Sequence, residues 1–282
     1  QMVKVFQDAK RMEGPVLVHV LTKKGKGYGP AMRHPARFHG TTPFQIDTGI
    51  PASKGGKSTY TDIFSTVMRK FGDREPQVVA VTAAMTTGTG LKRFGNMFPE
   101  RFFDVGIAEE HAVTFAAGLA LGGLVPVVAV YSSFLQRAFD QMMMDVCMQN
   151  LHVVFAVDRA GLVGSDGETH QGAFGLSYLS LMPNMTVMAP KNKWELSDMM
   201  KFAVHHNGPI ALRYPRGEAY DGLEEYREPI ALGKWEVLQR GKDIALLAVG
   251  SMVQTAWKVC QALKEQGISA TCVNARFVKP LD

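Results

Sequence analysis

The stretch FFDVGIAEEHAVTFAAGLALGGLVPVVAVYS, residues 102–132, reads as strand, helix, strand. Its ends, FFDVGI (102–107) and VPVVAVYS (125–132), are short and nearly continuous apolar runs, the pattern of parallel strands covered on both faces. Between them EEHAVTFAAGLALGG (109–123) is apolar almost all round and reads as a buried helix. The alternation continues outward. VLVHVL (16–21), QVVAVTAA (77–84), HVVFAVD (152–158), MTVMAP (185–190) and PIALRYP (209–215) read as further strands, and 59–73, 133–150 and 191–207 as helices. Strand and helix alternating at this spacing predict an α/β fold, a doubly wound and mostly parallel sheet with helices on both sides.

Composition bounds the possibilities. The chain has 282 residues, 46% hydrophobic and 20% charged, ordinary for a globular protein and long enough for about two domains. Apolar runs break off well short of the ~20 residues that span a bilayer, so no membrane segment is expected. Cys147, Cys260 and Cys272 are far apart and lack CxxC spacing. That argues against a disulfide framework or a zinc site and for a reducing, cytoplasmic setting. The net charge is +5, but the basic residues are scattered without interleaved aromatics. Small anionic metabolites suit that charge at least as well as nucleic acid, which is not expected as a partner.

Two stretches read as boundaries. TTPFQIDTGIPASKGGKS (41–58) has linker composition, and DGLEEYREPIALGKW (221–235) reads as a second connection. Residues 243–278 form a single β-α-β unit, which cannot cover both of its sheet faces. Together with a chain that opens on Gln1 and offers one strand before KKGKGY, this leads us to expect partial domains at both ends. Only about 58–220 reads as whole.

In doubly wound sheets ligands bind beyond the carboxyl ends of the strands. The polar residues there are Glu109, Glu110 and His111; Ser133, Gln136 and Arg137; Arg159 with Asp166 and His170 in the loop AGLVGSDGETHQG; and Arg216. Acids in a first helical turn need no role beyond the helix dipole. Helical spacing separates the two, however. Glu109 shares its face with Ala112, Val113 and Ala116, so it is the acid expected to be desolvated and suited to proton exchange with a buried base. Arg159 and Arg216 can make bidentate contacts to phosphate, or simply surface ion pairs. KKGKGYGP (23–30) lacks P-loop spacing and GxGxxG is absent. The Met run at 142–144 is expected to pack in the core.

DVGIAEEHAVTFAAGLALGG, YSSFLQRAFDQ, DRAGLVGSDGETHQGAFGLSYL and RYPRG, in this order, closely resemble the 1-deoxy-D-xylulose-5-phosphate synthase family of transketolase-like thiamine-diphosphate enzymes. The resemblance runs from KKGKGY to RFVKPLD. It implies condensation of pyruvate with D-glyceraldehyde 3-phosphate, giving CO2 and a product for isoprenoid, thiamine and pyridoxal synthesis. A transketolase, a pyruvate dehydrogenase β-type enzyme and a non-catalytic pyrimidine-domain module are the alternatives. The resemblance implies that 1–50 is the end of a diphosphate-binding domain plus linker, 51–225 a pyrimidine-binding domain, and 236–282 the start of a transketolase-type C-terminal domain. It also implies a homodimer.

The resemblance assigns roles by matching position. Glu109 is the glutamate that hydrogen-bonds the aminopyrimidine and so activates the thiazolium carbon. Phe134 stacks on that ring with Arg137 near it, and Met85 and Ile107 line the cofactor pocket. Tyr131, Arg159 and Arg216 hold the acceptor's phosphate end. Asp166 and His170 surround the substrate, and His39 lies near the reacting carbon, so Glu109, His170 and His39 are the implied catalytic residues. Glu110 stands where the family usually has Gln. The GDG…N signature for Mg2+ and the diphosphate is absent, so no metal ligand is expected in this span.

Overall fold

The computed structural model describes the whole chain except residues 42, 52–55 and 165. Part of the expected linker 41–58, and Ser165 of the Gly-rich loop, therefore lie outside the described residues. The chain divides into two compact units, Gln1–Gly56 and Lys57–Asp282. The first contains helix α1 (Met2–Ala9), the short helix α2 (Gly29–Arg33) and an aromatic cluster of Tyr28, Phe38 and Phe44. The strand expected at 16–21 is not formed: these residues have no strand partner, and Leu17 is 94% exposed. An apolar run becomes a strand only when a neighbour takes up its backbone N–H and C=O groups, and the described residues of 1–56 supply none for this one.

The second unit is built on a seven-stranded sheet. Its strands are β1 (Val78–Thr82), β2 (Phe102–Asp104), β3 (Val125–Tyr131), β4 (Val154–Asp158), β5 (Thr186–Met188), β6 (Ile210–Arg213) and, from far along the chain, β10 (Phe277–Lys279). They lie in the order β10-β5-β6-β4-β3-β1-β2, all parallel except β10, which runs antiparallel to β5. A smaller sheet, β7-β9-β8, is made of β7 (Glu236–Gln239), β8 (Ile244–Ala248) and β9 (Ala270–Asn274), with only β7 antiparallel. The mostly parallel, doubly wound α/β fold is as expected. The edge strand β10 had been counted with the last β-α-β unit, but its backbone completes the larger sheet instead.

Helices cover both faces of the larger sheet: α3 (Tyr60–Arg74), α4 (Lys92–Met97) and α9 (Lys193–Val204) on one side, α5 (Glu109–Leu121) and α8 (Gly175–Leu181) on the other. Alternate strand residues feed two separate cores. Val78, Ala80, Val127 and Ala129 pack with Phe64, Met68 and Met199, while Val81, Val128 and Val130 pack with Ala112, Val113 and Ala116. Burying each of the larger side chains contributes about 2 kcal/mol before entropic costs. Helix α3 opens with a reciprocal cap: the Thr59 hydroxyl accepts from the Asp62 amide, and the Asp62 carboxylate accepts from the Thr59 amide.

Two expected elements differ in detail. FFDVGI forms a strand only over 102–104, because Asp104 turns its carboxylate onto the amide of Gly106 at 3.1 Å. The single helix expected at 133–150 is one helical path of uneven winding: α6 (Ser132–Leu135), a tight turn at Gln136–Ala138, α7 (Phe139–Gln141), then a wide π-type turn over Met142–Cys147. Leu135, Ala138, Met142 and Val146 are buried at ordinary helical spacing, and Cys147 is buried beside them. Of the Met run, Met142 is in the core, Met143 packs half-buried against it, and Met144 is turned outward, 49% exposed. Beyond the smaller sheet's β8 comes α10 (Met252–Glu265). Among the described residues no helix is long and apolar enough to cross a membrane.

Candidate active site

Strand order reverses between β1 and β3: the chain moves from β1 outward to β2, then returns past β1 to β3 and β4. A crevice at the carboxyl edge opens at such a reversal. There the Met85 sulfur, just after β1, accepts the amide of Tyr131 at the end of β3, 3.5 Å away. The loop between β1 and α4 is held by Asp104 from β2. Its carboxylate accepts the amide of Ala84 at 2.7 Å, stabilising a left-handed residue (φ +58°), and the Thr86 hydroxyl at 2.6 Å. Further along this loop a Cβ on Gly88 would stand 1.6 Å from the Tyr131 hydroxyl, so only glycine admits the tyrosine.

Glu109 and Glu110 open α5 and point apart. Glu109 shares the buried stripe of Ala112, Val113, Ala116 and Ala117 and is 2% exposed, whereas Glu110 is exposed. This is the split expected from spacing alone. Arg137 Nη1 donates to Glu109 Oε1 at 2.7 Å; Oε2 has no partner among the described residues. The same guanidinium lies over the Phe134 ring, 4.8 Å from its centre. Ile107, two residues before Glu109, is 81% exposed.

From Phe134 the contacts continue. Its ring meets Tyr131 at 5.8 Å and His170 edge-on at 5.1 Å. Arg159 stacks on Tyr131, 3.8 Å from the ring centre, and its Nη2 donates to the phenol oxygen at 2.9 Å. Burial raises the Tyr131 phenol pKa against the opposing pull of Arg159. Asp166 forms ion pairs with both Arg159 and Arg216, one carboxylate oxygen to each. The loop carrying Asp166 and His170 is closed at its base by paired backbone bonds between Gly161 and Gly172 and by Gln171, whose side chain both accepts from and donates to Val163.

Asp158, at the end of β4 and in register with Tyr131, is wholly buried. One carboxylate oxygen accepts the amide of Arg159 at 2.6 Å and the other the Thr61 hydroxyl at 2.9 Å. Burial pushes its pKa from the ordinary 3.8 to about 6 despite those bonds.

Glu109, Arg137, Phe134, Tyr131, His170, Arg159, Asp166 and Arg216 thus form one unbroken line of contacts at the carboxyl edge, with Met85 against Tyr131. His39 belongs to the first unit, where Lys24 donates to its Nδ1 at 2.7 Å. Reading polar residues after strands missed Asp104, Asp158 and Gly88. Both aspartates end strands and were visible as such. Their contacts are to backbone amides and to threonine hydroxyls from other elements, which side-chain type does not disclose.

A buried carboxylate with one oxygen unshared, beside a half-buried aromatic face, suits a flat heteroaromatic ring that offers N–H or ring nitrogen to the acid and its face to Phe134. These residues fit an aminopyrimidine.

Residues 56–221 match the family described as transketolase, pyrimidine binding domain, and residues 233–282 match transketolase, C-terminal domain. A 1-deoxy-D-xylulose-5-phosphate synthase of Lachnoclostridium phytofermentans is 55% identical over 282 residues, covering 100% of this chain and 45% of its own length. A synthase of the same name from Geobacter sulfurreducens is 55% identical over 284 residues, again covering 45% of its length. The chain therefore spans somewhat under half the length of these curated relatives. Among solved structures, a split-gene transketolase described as an inactive β4 tetramer is 29% identical with a TM-score of 0.67, covering 78% of this chain and 72% of that one. Campylobacter jejuni transketolase is 20% identical with a TM-score of 0.71, covering 80% and 37%, and shows the shared fold. With more than half its residues matched, the chain belongs to the transketolase pyrimidine-binding domain family.

Proposed function

We propose that this chain is the pyrimidine-binding part of a 1-deoxy-D-xylulose-5-phosphate synthase, which condenses pyruvate with D-glyceraldehyde 3-phosphate and releases CO2. The observation that carries the reading is the buried Glu109, held at one oxygen by Arg137 and open at the other beside Phe134. The identity with relatives of that name, above 50% across the whole chain, supports it. Thiamine diphosphate, when bound, supplies the nucleophilic carbon and the electron sink for decarboxylation. Glu109 holds and moves a proton at the pyrimidine nitrogen. Arg137 keeps that carboxylate oriented, and Phe134, Met85 and Ile107 flank the ring. Arg159 and Arg216 hold the acceptor's phosphate with Tyr131. Asp166, which spans both guanidinium groups, either shares them with the phosphate or gives them up to it. His170, against Phe134 and Tyr131, and His39 serve proton movement at the substrate.

The same reading includes Mg2+ bound with the diphosphate by residues outside this span, a homodimer and a cytoplasmic setting. It takes 1–50, 51–225 and 236–282 as parts of three successive domains. The exposed apolar side chains Leu121, Met144 and Met148 support contact with a partner, and three buried free thiols suit a reducing compartment.

The test is an assay of the full-length protein with pyruvate and D-glyceraldehyde 3-phosphate. Formation of 1-deoxyxylulose 5-phosphate is expected, with Glu109→Gln lowering kcat by about 10²–10⁴-fold and Glu110→Gln nearly silent. Ketol transfer between sugars in place of that product overturns the reading.

A further inference from the structure

Arg159 is one of five non-glycine residues with positive φ among the described residues, at +59°. A long side chain gains nothing from that conformation by itself. It persists only where the surroundings dictate it. Here the dictating group is the preceding side chain: the Asp158 carboxylate turns forward and takes the Arg159 amide at 2.6 Å. The carboxylate cannot swing away, because its other oxygen is tied to the Thr61 hydroxyl of α3 at 2.9 Å and no water reaches it. The turn sends the Arg159 guanidinium flat onto Tyr131 and into its pair with Asp166. Beyond it the chain is held by the Ala160 amide on the Tyr214 carbonyl at 3.0 Å and by the Gly161–Gly172 pair, which leaves the Asp158 carboxylate as the side-chain partner of the Arg159 amide itself.

We infer that Asp158 is a positioning residue that aims Arg159 at the acceptor's phosphate by holding the Arg159 backbone in the left-handed turn. The inference rests on the reading of Arg159 as a phosphate ligand, and it deepens that reading by naming what sets the arginine's direction. Thr61 belongs to the same device as the anchor of the carboxylate. The role is acceptance of one backbone amide, which an amide side chain also performs. A charge role would instead require the carboxylate itself, facing Arg159, Arg216, Tyr131 and Tyr214.

Steady-state kinetics of the full-length enzyme separate the possibilities. Asp158→Ala raises the KM for D-glyceraldehyde 3-phosphate about tenfold, as loss of one aligned contact does, with the KM for pyruvate unchanged. Asp158→Asn restores the KM to near the parent value. Combined with Arg159→Ala, the Asp158→Ala change adds nothing, because the two act through one contact. Additive effects, or an Asn variant as impaired as the Ala variant, overturn the inference. If Asp158→Ala fails to fold, Asp158→Val keeps the shape and carries the same expectations. A crystal structure of either apolar variant decides independently of activity: Arg159 leaving positive φ supports the inference, and Arg159 still near +59° on Tyr131 overturns it. Should Arg159→Ala leave the triose-phosphate KM unchanged, the phosphate-ligand reading fails, and the crystal structure alone still tests what Asp158 does to the backbone.

Discussion

Glu109 and Glu110 differ by one position and by nearly everything else. The first closes an apolar stripe and is buried, the second faces water. Side-chain spacing was enough to separate them, since a helix puts adjacent residues about 100° apart. Asp158 was not legible in the same way, because its partners are an amide one residue on and a hydroxyl 97 positions away in sequence. Its titration gives a test. With a folded-state pKa of about 6 against 3.8, the folded protein binds the proton more tightly than the unfolded chain does. The stabilisation is complete below pH 3.8 and is lost as pH rises through about 6. It amounts to about 3 kcal/mol at most. Denaturant titrations from pH 4 to 7 should show this slope in the parent and not in Asp158→Asn. At Gly88 the expectation is steric. Gly88→Ala places a carbon 1.6 Å from the Tyr131 hydroxyl and should raise the triose-phosphate KM by pushing Tyr131 off Arg159.

Elements were legible wherever their periodicity was carried by their own neighbours. The run at 109–123 became α5 with buried positions at 109, 112, 113, 116 and 117, one helical stripe. The run at 16–21 had the right composition and no strand to pair with among the described residues. The uneven path through 132–147 could not be read from residue type, since its buried positions 135, 138, 142 and 146 keep ordinary helical spacing. The end of α3 shows how one distant side chain can finish an element. Arg101 donates to the carbonyls of Gly72 at 2.5 Å and Glu75 at 3.1 Å, and lies 4.7 Å from the Phe98 ring centre. Arg101→Ala leaves those carbonyls without a cationic donor and should lower stability by about 2 kcal/mol, visible as a Tm several degrees lower.

At the scale of the second unit, a buried polar cluster ties the two sheets together. Lys191, after β5, donates to Glu236 of β7 at 2.6 Å and to Glu195 of α9 at 3.3 Å. Asn274 of β9 donates to the same two carboxylates. All four are essentially excluded from water. Lys191→Met takes the ammonium from two buried carboxylates that keep Asn274 and, at Glu195, Arg276 3.6 Å away, and should cost about 3 kcal/mol in equilibrium unfolding. The double change Lys191→Met with Glu236→Leu should recover part of it. Sequence alone separated 236–282 at the connection 221–235 but could not show this cluster, whose members are as much as 83 positions apart.

The antiparallel strand β10 adds a constraint in time. Strands β1 to β6 can assemble once residue 213 has been made, yet the outer edge of β5 stays open until residues 277–279 arrive to cover it. During synthesis the half-built sheet therefore presents a bare row of amides and carbonyls to its neighbours on the same messenger. Chains stopped at residue 276 should associate through that edge, and light scattering during translation arrest would register it. Pairing of residues 277–279 with β5 thus protects this protein from its own nascent copies.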